Sequence, residues 1–378
     1  MTSDPIYLDH NATTPLFPEV VDAMLPYLRE HFGNPSSGHV YGLRARSAVA
    51  RAREQVAALL GCDADEVLFT SGGTEANNLA IRGVLEALGR ERHVVTTRIE
   101  HPATAVPCEW LEKKGHRVSR IGVDAEGVAR EAEAREALGR ETALVTVMHS
   151  NNETGVLQPI AALARLAHGV GALMHTDAAQ SLGKVPVQVR ELGVDLLSVA
   201  GHKLYAPKGV GALYVKRGTP LAPFALGASH ERGLRPGTEN VASIVGLGAA
   251  CETVGRDLDA AASRMKGLRD LLWELLASSI PGLALNGHRE LRLPNTLNVR
   301  FPGVSGPALL EVVPDVAAST GSACHAGHET ASAVILAMGV PAAEALGSVR
   351  LTLGRTTTPE EVRQAAAALL QSWRQLTR

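Results

Sequence analysis

Four stretches of this chain hold residue types whose spacing suits covalent chemistry. Lys203 stands in Gly201-His202-Lys203-Leu204-Tyr205-Ala206-Pro207-Lys208-Gly209, directly after an apolar run at 196–199. A lysine at the carboxyl end of a sheet strand lies in the crevice where open α/β sheets take ligands. Partly desolvated there, it can form a Schiff base with a carbonyl cofactor; a surface lysine in a basic turn is the plainer alternative. Asp177, in His175-Thr176-Asp177-Ala178-Ala179-Gln180, follows a second apolar run. A carboxylate so placed suits a protonated pyridine nitrogen and makes that ring an electron sink, although Asp also caps strand-to-helix joints. Thr70-Ser71-Gly72-Gly73-Thr74-Glu75-Ala76-Asn77-Asn78 puts small and hydroxyl residues between a strand and a helix start. Free amides and a positive helix end make a phosphate cup there, while capping alone also explains Thr74.

Cys324 lies in Ala317-Ala318-Ser319-Thr320-Gly321-Ser322-Ala323-Cys324-His325-Ala326-Gly327-His328. Few apolar anchors are present, so this run is expected to be mobile, which lets a thiolate reach a substrate sulfur and then present it elsewhere. Buried structural cysteine is the usual fate of a free thiol, and it is the expectation for Cys62, Cys108 and Cys251, in or beside apolar helices.

The elements that must position these groups alternate. Strands are expected at 67–70, 93–97, 143–149, 173–176, 195–199 and 210–215, with helices at 75–88, 102–113 and 159–168. Strands apolar along their whole length indicate a mostly parallel sheet covered on both faces, an α/β architecture. One long helix is expected from near Glu239 past Gly246 and Gly255 to Leu276. Beyond it come a strand at 296–300, a helix after Pro307, a strand at 348–353 and a final helix. Thr358-Pro359-Glu360-Glu361 supplies that helix with a cap, a first-position proline and first-turn acids. This second alternation reads as a smaller α+β domain.

At 378 residues the chain exceeds the usual single-core size. Lys plus Arg (37) nearly balance Asp plus Glu (39) and are interleaved, which points to no nucleic-acid or membrane surface. The four cysteines form no CxxC pair, against a disulfide framework or a zinc site. The first residues lack a basic start and apolar core, and no apolar run approaches bilayer length. A soluble cytoplasmic enzyme that binds no metal is expected.

Taken in order, the motifs resemble the cysteine desulfurases (NifS/IscS type) of the class V aminotransferase group. They begin with Tyr7-Leu8-Asp9-His10-Asn11-Ala12-Thr13-Thr14-Pro15 and Asn34-Pro35-Ser36-Ser37. Ser71-Gly72-Gly73-Thr74-Glu75, Glu100-His101, Asn151-Asn152-Glu153-Thr154-Gly155, Asp177 with Gln180, and His202-Lys203 follow. Arg232-Gly233-Leu234-Arg235-Pro236-Gly237-Thr238, Pro294-Asn295-Thr296-Leu297-Asn298, Gly321-Ser322-Ala323-Cys324 and Ser348-Val349-Arg350-Leu351-Thr352-Leu353-Gly354-Arg355 complete the set.

The resemblance implies fold type I of the transferases dependent on pyridoxal 5′-phosphate (PLP), with a mixed, mostly parallel seven-stranded sheet. It implies an N-terminal segment 1–15 packed with the small domain, a large PLP-binding domain 16–255 and a small domain 256–378 carrying the cysteine loop. Lys203 is then the Schiff-base lysine, and His101 the histidine that stacks on the cofactor ring and assists acid–base steps. Asp177 holds the ring nitrogen, and Gln180 and Asn152 contact the ring oxygen and substrate region. Gly73, Thr74 and His202 bind phosphate, Thr238 does so across a homodimer, Arg350 receives the substrate carboxylate, and Asn11 is a further substrate-binding residue. Cys324 takes sulfur from L-cysteine as a persulfide, for iron–sulfur cluster biogenesis or another acceptor pathway, leaving L-alanine.

Three positions depart from the pattern. Ala200 replaces a phosphate-binding serine, with Ser198 two residues back on the same strand face; weaker PLP retention is expected. His325 follows the cysteine as in selenocysteine lyases, and Gly227-Ala228-Ser229-His230-Glu231 replaces a glycine-rich stretch. Selenocysteine lyase, another class V PLP enzyme, and a PLP-bound scaffold are the alternatives.

Overall fold

The computed structural model describes residues 4–89, 92–223, 225–320 and 330–378. The expectations for Cys324 and His325 lie outside the described residues.

Seven strands form the central sheet, in the order Val67–Thr70, Gly211–Val215, Leu196–Ala200, Leu173–Asp177, Thr142–Thr146, His93–Thr97, Arg117–Ile121. Gly211–Val215 runs antiparallel to both neighbours and the remaining pairs are parallel. Alternation along each strand serves two apolar layers. Leu68, Val94, Leu144, Leu196 and Leu213 pack on one face with the helices Gly73–Leu88 and Pro102–Lys113. Their neighbours Phe69, Val95, Val145, Leu197 and Tyr214 pack on the other with Val40–Leu60, Ile160–Gly169 and Val241–Arg256. Period-two side-chain direction thus explains why these strands read as apolar throughout.

A second core surrounds the antiparallel strands Ser348–Thr352, Thr296–Arg300 and Ala284–Leu285. Leu258–Ala277 and Pro359–Leu376 cover it, the latter opened by the Thr358–Glu361 capping box. The N-terminal segment packs with this second core, Ile6 and Tyr7 pairing with Val316 and Ala317 and Asp9 bridging to Thr352, and reaches the first where Thr14 N donates to His202 O at 2.9 Å.

The single helix expected through Leu276 is two helices, broken at Asp257 (φ −138°, ψ 28°). Arg355 supplies the reason. Its guanidinium pairs with Asp257 and donates to Val254 O at 3.0 Å, the carbonyl that a continuous helix would commit to residue 258. A further strand, Arg117–Ile121, is absent from the expected set because Arg-Val-Ser-Arg-Ile carries too many polar residues for a buried run; it is an edge strand. Among the described residues no helix is long and apolar enough to cross a membrane.

Candidate active site

The chemical groups gather where the parallel strands end. Asp177 is the last residue of its strand, and Lys203 follows Leu196–Ala200 by three residues. His101 follows His93–Thr97 by four, and the Gly72-Gly73-Thr74 turn follows Val67–Thr70. All these strands point the same way, because Val67–Thr70 is twice reversed relative to Leu196–Ala200. Connections leaving one sheet edge therefore converge, as open α/β sheets require. They enclose a cavity of about 360 Å³ lined by, among others, Thr74, His101, Asn152, Asp177, Gln180 and Lys203.

Lys203 is carried on a tense turn. Tyr205 has φ 61°, unfavourable for a side chain with Cβ, and is held by its amide on Thr14 Oγ1 (2.8 Å) and stacking on Phe17 at 4.2 Å. The amine Nζ donates to Asn11 O at 2.6 Å. Burial, followed by repulsion from Arg350, lowers its pKa to about 8, so a reactive neutral fraction exists near neutrality.

Asp177 is fixed at both oxygens. Asn77 Nδ2 donates to Oδ2 at 2.7 Å and the Ala179 amide to Oδ1 at 2.9 Å. His101 caps the helix Pro102–Lys113, accepting from the Ala103 amide through Nδ1 at 3.1 Å. Its neutral ring therefore carries the proton on Nε2. Burial lowers its pKa and Lys203 adds to the effect. Burial likewise brings His202 to about 4, and its Nδ1 meets Thr13 Oγ1 at 3.2 Å.

Gly73 and Thr74 open a 16-residue helix beside this wall. The first-turn amides of a helix lack intrahelical partners and favour an anion. Ala200 also faces the cavity, whereas Ser198 is fully buried with Oγ on His175 Nε2 at 3.0 Å. Ser198 therefore lends the cavity no hydroxyl.

Two predicted substrate groups are already committed to protein partners. Asn11 uses all four side-chain bonds: Nδ2 donates to Asn152 O (3.2 Å) and Thr296 Oγ1 (2.9 Å), and Oδ1 accepts from Lys184 (3.0 Å) and Asn295 (3.1 Å). Arg350 donates to Asn152 O at 3.1 Å and pairs with Asp9 at 2.8 Å, beside the cavity and outside its wall. Thr238 is exposed and does not line the cavity of its own chain. Glu231, in the divergent stretch, binds Arg53 through both oxygens (2.6 and 2.8 Å) and the Phe69 amide at 2.9 Å.

Asn77, Ser150, Asp9 and Lys184 were not singled out from sequence. Asn77 follows Thr74 by three residues and shares its helix face, a signal that was available. Lys184 follows Gln180 by four, but in a turn, where that spacing carries no meaning.

The family model for class V aminotransferases matches residues 6–365. This chain belongs to the class V aminotransferase family. It is 45% identical to "Cysteine desulfurase IscS" of Dictyoglomus turgidum, over 94% of this chain and 91% of that relative. Among solved structures it resembles a NifS-like protein (TM-score 0.91, 36% identity, 97% of this chain and 98% of that one). A structure described as SspA in complex with cysteine gives a TM-score of 0.82 at 34% identity, over 93% and 99% of the two chains.

Members of this family depend on PLP, and the chain is a PLP-dependent enzyme. The residues present fit that group. A lysine of lowered pKa and a doubly held carboxylate share one cavity with a glycine-opened helix terminus. Ser150 Oγ, on the cavity wall, is buried with no hydrogen-bond partner among the described residues. A buried hydroxyl left so is an unmet requirement that a polar cofactor relieves.

Proposed function

We propose that this enzyme is a cysteine desulfurase that converts L-cysteine to L-alanine and passes the sulfur, as a persulfide on Cys324, to an acceptor. The observation that carries the reading is how the stretch holding Cys324 is moored. Before it, Ser319 pairs with Arg350, its amide on Arg350 O and its carbonyl on Arg350 N at 2.6 Å. Beyond it, Ser332 donates to Glu153 Oε2 at 2.5 Å, next to Asn152 of the cavity wall. Cys324 follows Ser319 by five positions, a reach of up to about 17 Å. Arg350 donates to Asn152 O and Glu153 follows Asn152 in the chain, so both moorings adjoin a wall residue of the cavity that contains Lys203 and Asp177. The relatives named as cysteine desulfurases support the same reading.

Bound PLP supplies a ring that takes up the electrons left at the substrate α-carbon. Asp177, pre-oriented by Asn77 and the Ala179 amide, keeps the ring nitrogen protonated. Gly73, Thr74 and His202 hold the phosphate, and Gln180 and Asn152 face the ring oxygen and substrate region. Lys203 binds the cofactor, takes the α-proton and returns it. His101, proton on Nε2, assists these transfers. Arg350, whose buried Nε has no hydrogen-bond partner among the described residues, receives the substrate carboxylate, with Asn11 holding the neighbouring Asn152 backbone. The Cys324 thiolate attacks the substrate sulfur; the Cβ–S bond breaks, its electron pair passes to the carbon skeleton, and that carbon is protonated to alanine.

On this reading the enzyme is a homodimer in which exposed Thr238 reaches the phosphate of a second copy. Residues 16–255 bind the cofactor, 256–378 carry the cysteine, and 1–15 pack with the latter. It works in the cytoplasm with a separate sulfur acceptor, iron–sulfur cluster biogenesis being one such use. The test measures alanine formed from cysteine by wild type and Cys324→Ala, with mass spectrometry of the peptide holding residue 324. Loss of alanine in the variant and one added sulfur in wild type are expected. Full activity in Cys324→Ala would refute the proposal.

A further inference from the structure

Lys184 has no part in the chemistry above, yet its amine is buried against two groups that do. A tight turn brings it there. The Ser181 and Leu182 amides both donate to Ala178 O, and Lys184 N donates to Ser181 O at 3.0 Å. Between them Gly183 has φ 76°, and a Cβ at that position would lie 2.2 Å from Leu204 Cδ1. The turn that carries residue 184 inward therefore requires glycine. Nζ donates to Gln180 Oε1 at 3.1 Å and Asn11 Oδ1 at 3.0 Å.

Among the described residues no carboxylate lies within ion-pair distance of this amine. A lysine buried without counter-charge costs stability. Burial first, then the charges of Lys203 and Arg350, hold its pKa well below the ordinary lysine range. An apolar side chain of similar length would fill the space without that penalty. What lysine adds is the pair of hydrogen bonds.

Those bonds settle the orientation of two amides. With Oε1 of Gln180 accepting from Lys184, Nε2 is the end left to donate, and it reaches Asn11 O at 3.0 Å while Gln180 lines the cavity. With Oδ1 of Asn11 accepting, Nδ2 is directed to Asn152 O and Thr296 Oγ1. This anchors the residue whose carbonyl meets Lys203 Nζ at 2.6 Å.

We infer that Lys184 is a positioning residue of the active site: its two donated hydrogen bonds fix which end of the Gln180 amide serves the cavity and hold the Asn11 carbonyl against Lys203. The inference rests on the cofactor site described above and not on the identity of the amino-acid substrate.

The test is a double-mutant cycle. Cofactor-free full-length chain is titrated with PLP, and binding is followed by the absorbance of the bound cofactor. Lys184→Met and Gln180→Ala are each expected to weaken binding about tenfold. The double variant is expected within about threefold of the weaker single, because one residue acts through the other. Lys184→Gln, which keeps a donor, restores most of the affinity. Unfolding temperatures of the same variants separate packing from orientation, and Lys184→Leu replaces the methionine variant should that one not fold. Unchanged affinity in Lys184→Met, or losses that multiply to about a hundredfold in the double variant, overturn the inference. A chain that follows these expectations yet forms no alanine from cysteine leaves Lys184 in place and overturns the desulfurase reading instead.

Discussion

The three-stranded sheet and the carboxyl edge of the seven-stranded sheet both bury polar side chains, and the kinds they bury differ. Around Thr296–Arg300 the buried groups are mostly amides and hydroxyls. Asn286 donates to Asn298 Oδ1 at 2.7 Å and Ser348 Oγ at 3.0 Å, Asn298 to Glu153 O at 3.1 Å, and Asn295 to Leu353 O at 3.0 Å. At the large sheet's edge they are ionisable: Lys203, Lys184, His101 and, behind them, Glu100, pushed up to about 8 by burial. Paired neutral groups fix a shape and bring no pH dependence. Ionisable groups held away from their solution pKa oppose stability and supply reactivity. The smaller sheet is mainly scaffold, with Arg350 its contribution to the chemistry; the edge of the larger sheet presents the rest.

Exchanging the two kinds of lesion tests this division. Lys203→Ala should lower alanine formation by about a thousandfold or more, while the cofactor-free chain melts no lower than wild type, since a buried amine is removed. Asn286→Ala should do the reverse. It strands Asn298 Oδ1 and takes from the Arg300 guanidinium one of its partners, Glu344 being another, costing about 1–3 kcal/mol and lowering the melting temperature by about 2–4 °C for each, with kcat largely kept. Calorimetry beside steady-state kinetics reads both, and a Lys203→Ala chain that stays active erases the contrast.

The pH dependence sharpens it. In the cofactor-free chain Lys203 titrates at about 8, against 10.5 for the free side chain. Below pH 8 both folded and unfolded chains hold the proton, and the buried charge destabilises the fold in full. Between about 8 and 10.5 the unfolded chain binds more protons, so this penalty falls away as pH rises and is gone above about 10.5. The whole effect is about 3 kcal/mol. Denaturant unfolding of wild type and Lys203→Met across this range checks it; the difference between the two should shrink as pH climbs. Asn286→Ala should show a pH-independent loss, and a sloping one would undo the assignment of that sheet as neutral scaffold.

Much of this arrangement was legible in the residues. Apolar runs ending at 70, 97, 176 and 199 located the strands because buried parallel strands must be apolar on both faces. The reactive side chains stood out because they come directly after those runs. What escaped were features depending on contacts between distant segments. The break at Asp257 is made by Arg355, and Arg117–Ile121 reads as polar because one side of it is open. The contact between Asn11 and Lys184 spans 173 positions. The side-chain commitments of Asn11 and Arg350 were equally invisible, since Asp9, Asn152 and Asn295 reach them from separate elements.

The smallest effect is expected where a scaffold residue stands on the chemical edge. Ala200 ends its strand and presents a methyl group to the cavity near Gly73, where a Cβ would approach it to 3.2 Å. Ser198, on the same strand face, is spent on a neutral chain of hydrogen bonds through His175 to Thr146 Oγ1, the kind of pairing that marks scaffold. Ala200→Ser would place a hydroxyl on the cavity wall, and one added hydrogen bond strengthens PLP binding about two- to tenfold. Ser198→Ala should leave that affinity alone and lower the melting temperature, because His175 Nε2 then loses its partner in the core. Cofactor titration of both variants separates the two roles of adjacent same-face positions. Unchanged or weaker binding in Ala200→Ser would mean that the departure at 200 has no bearing on cofactor retention, and the border between scaffold and chemistry would then run beyond this residue.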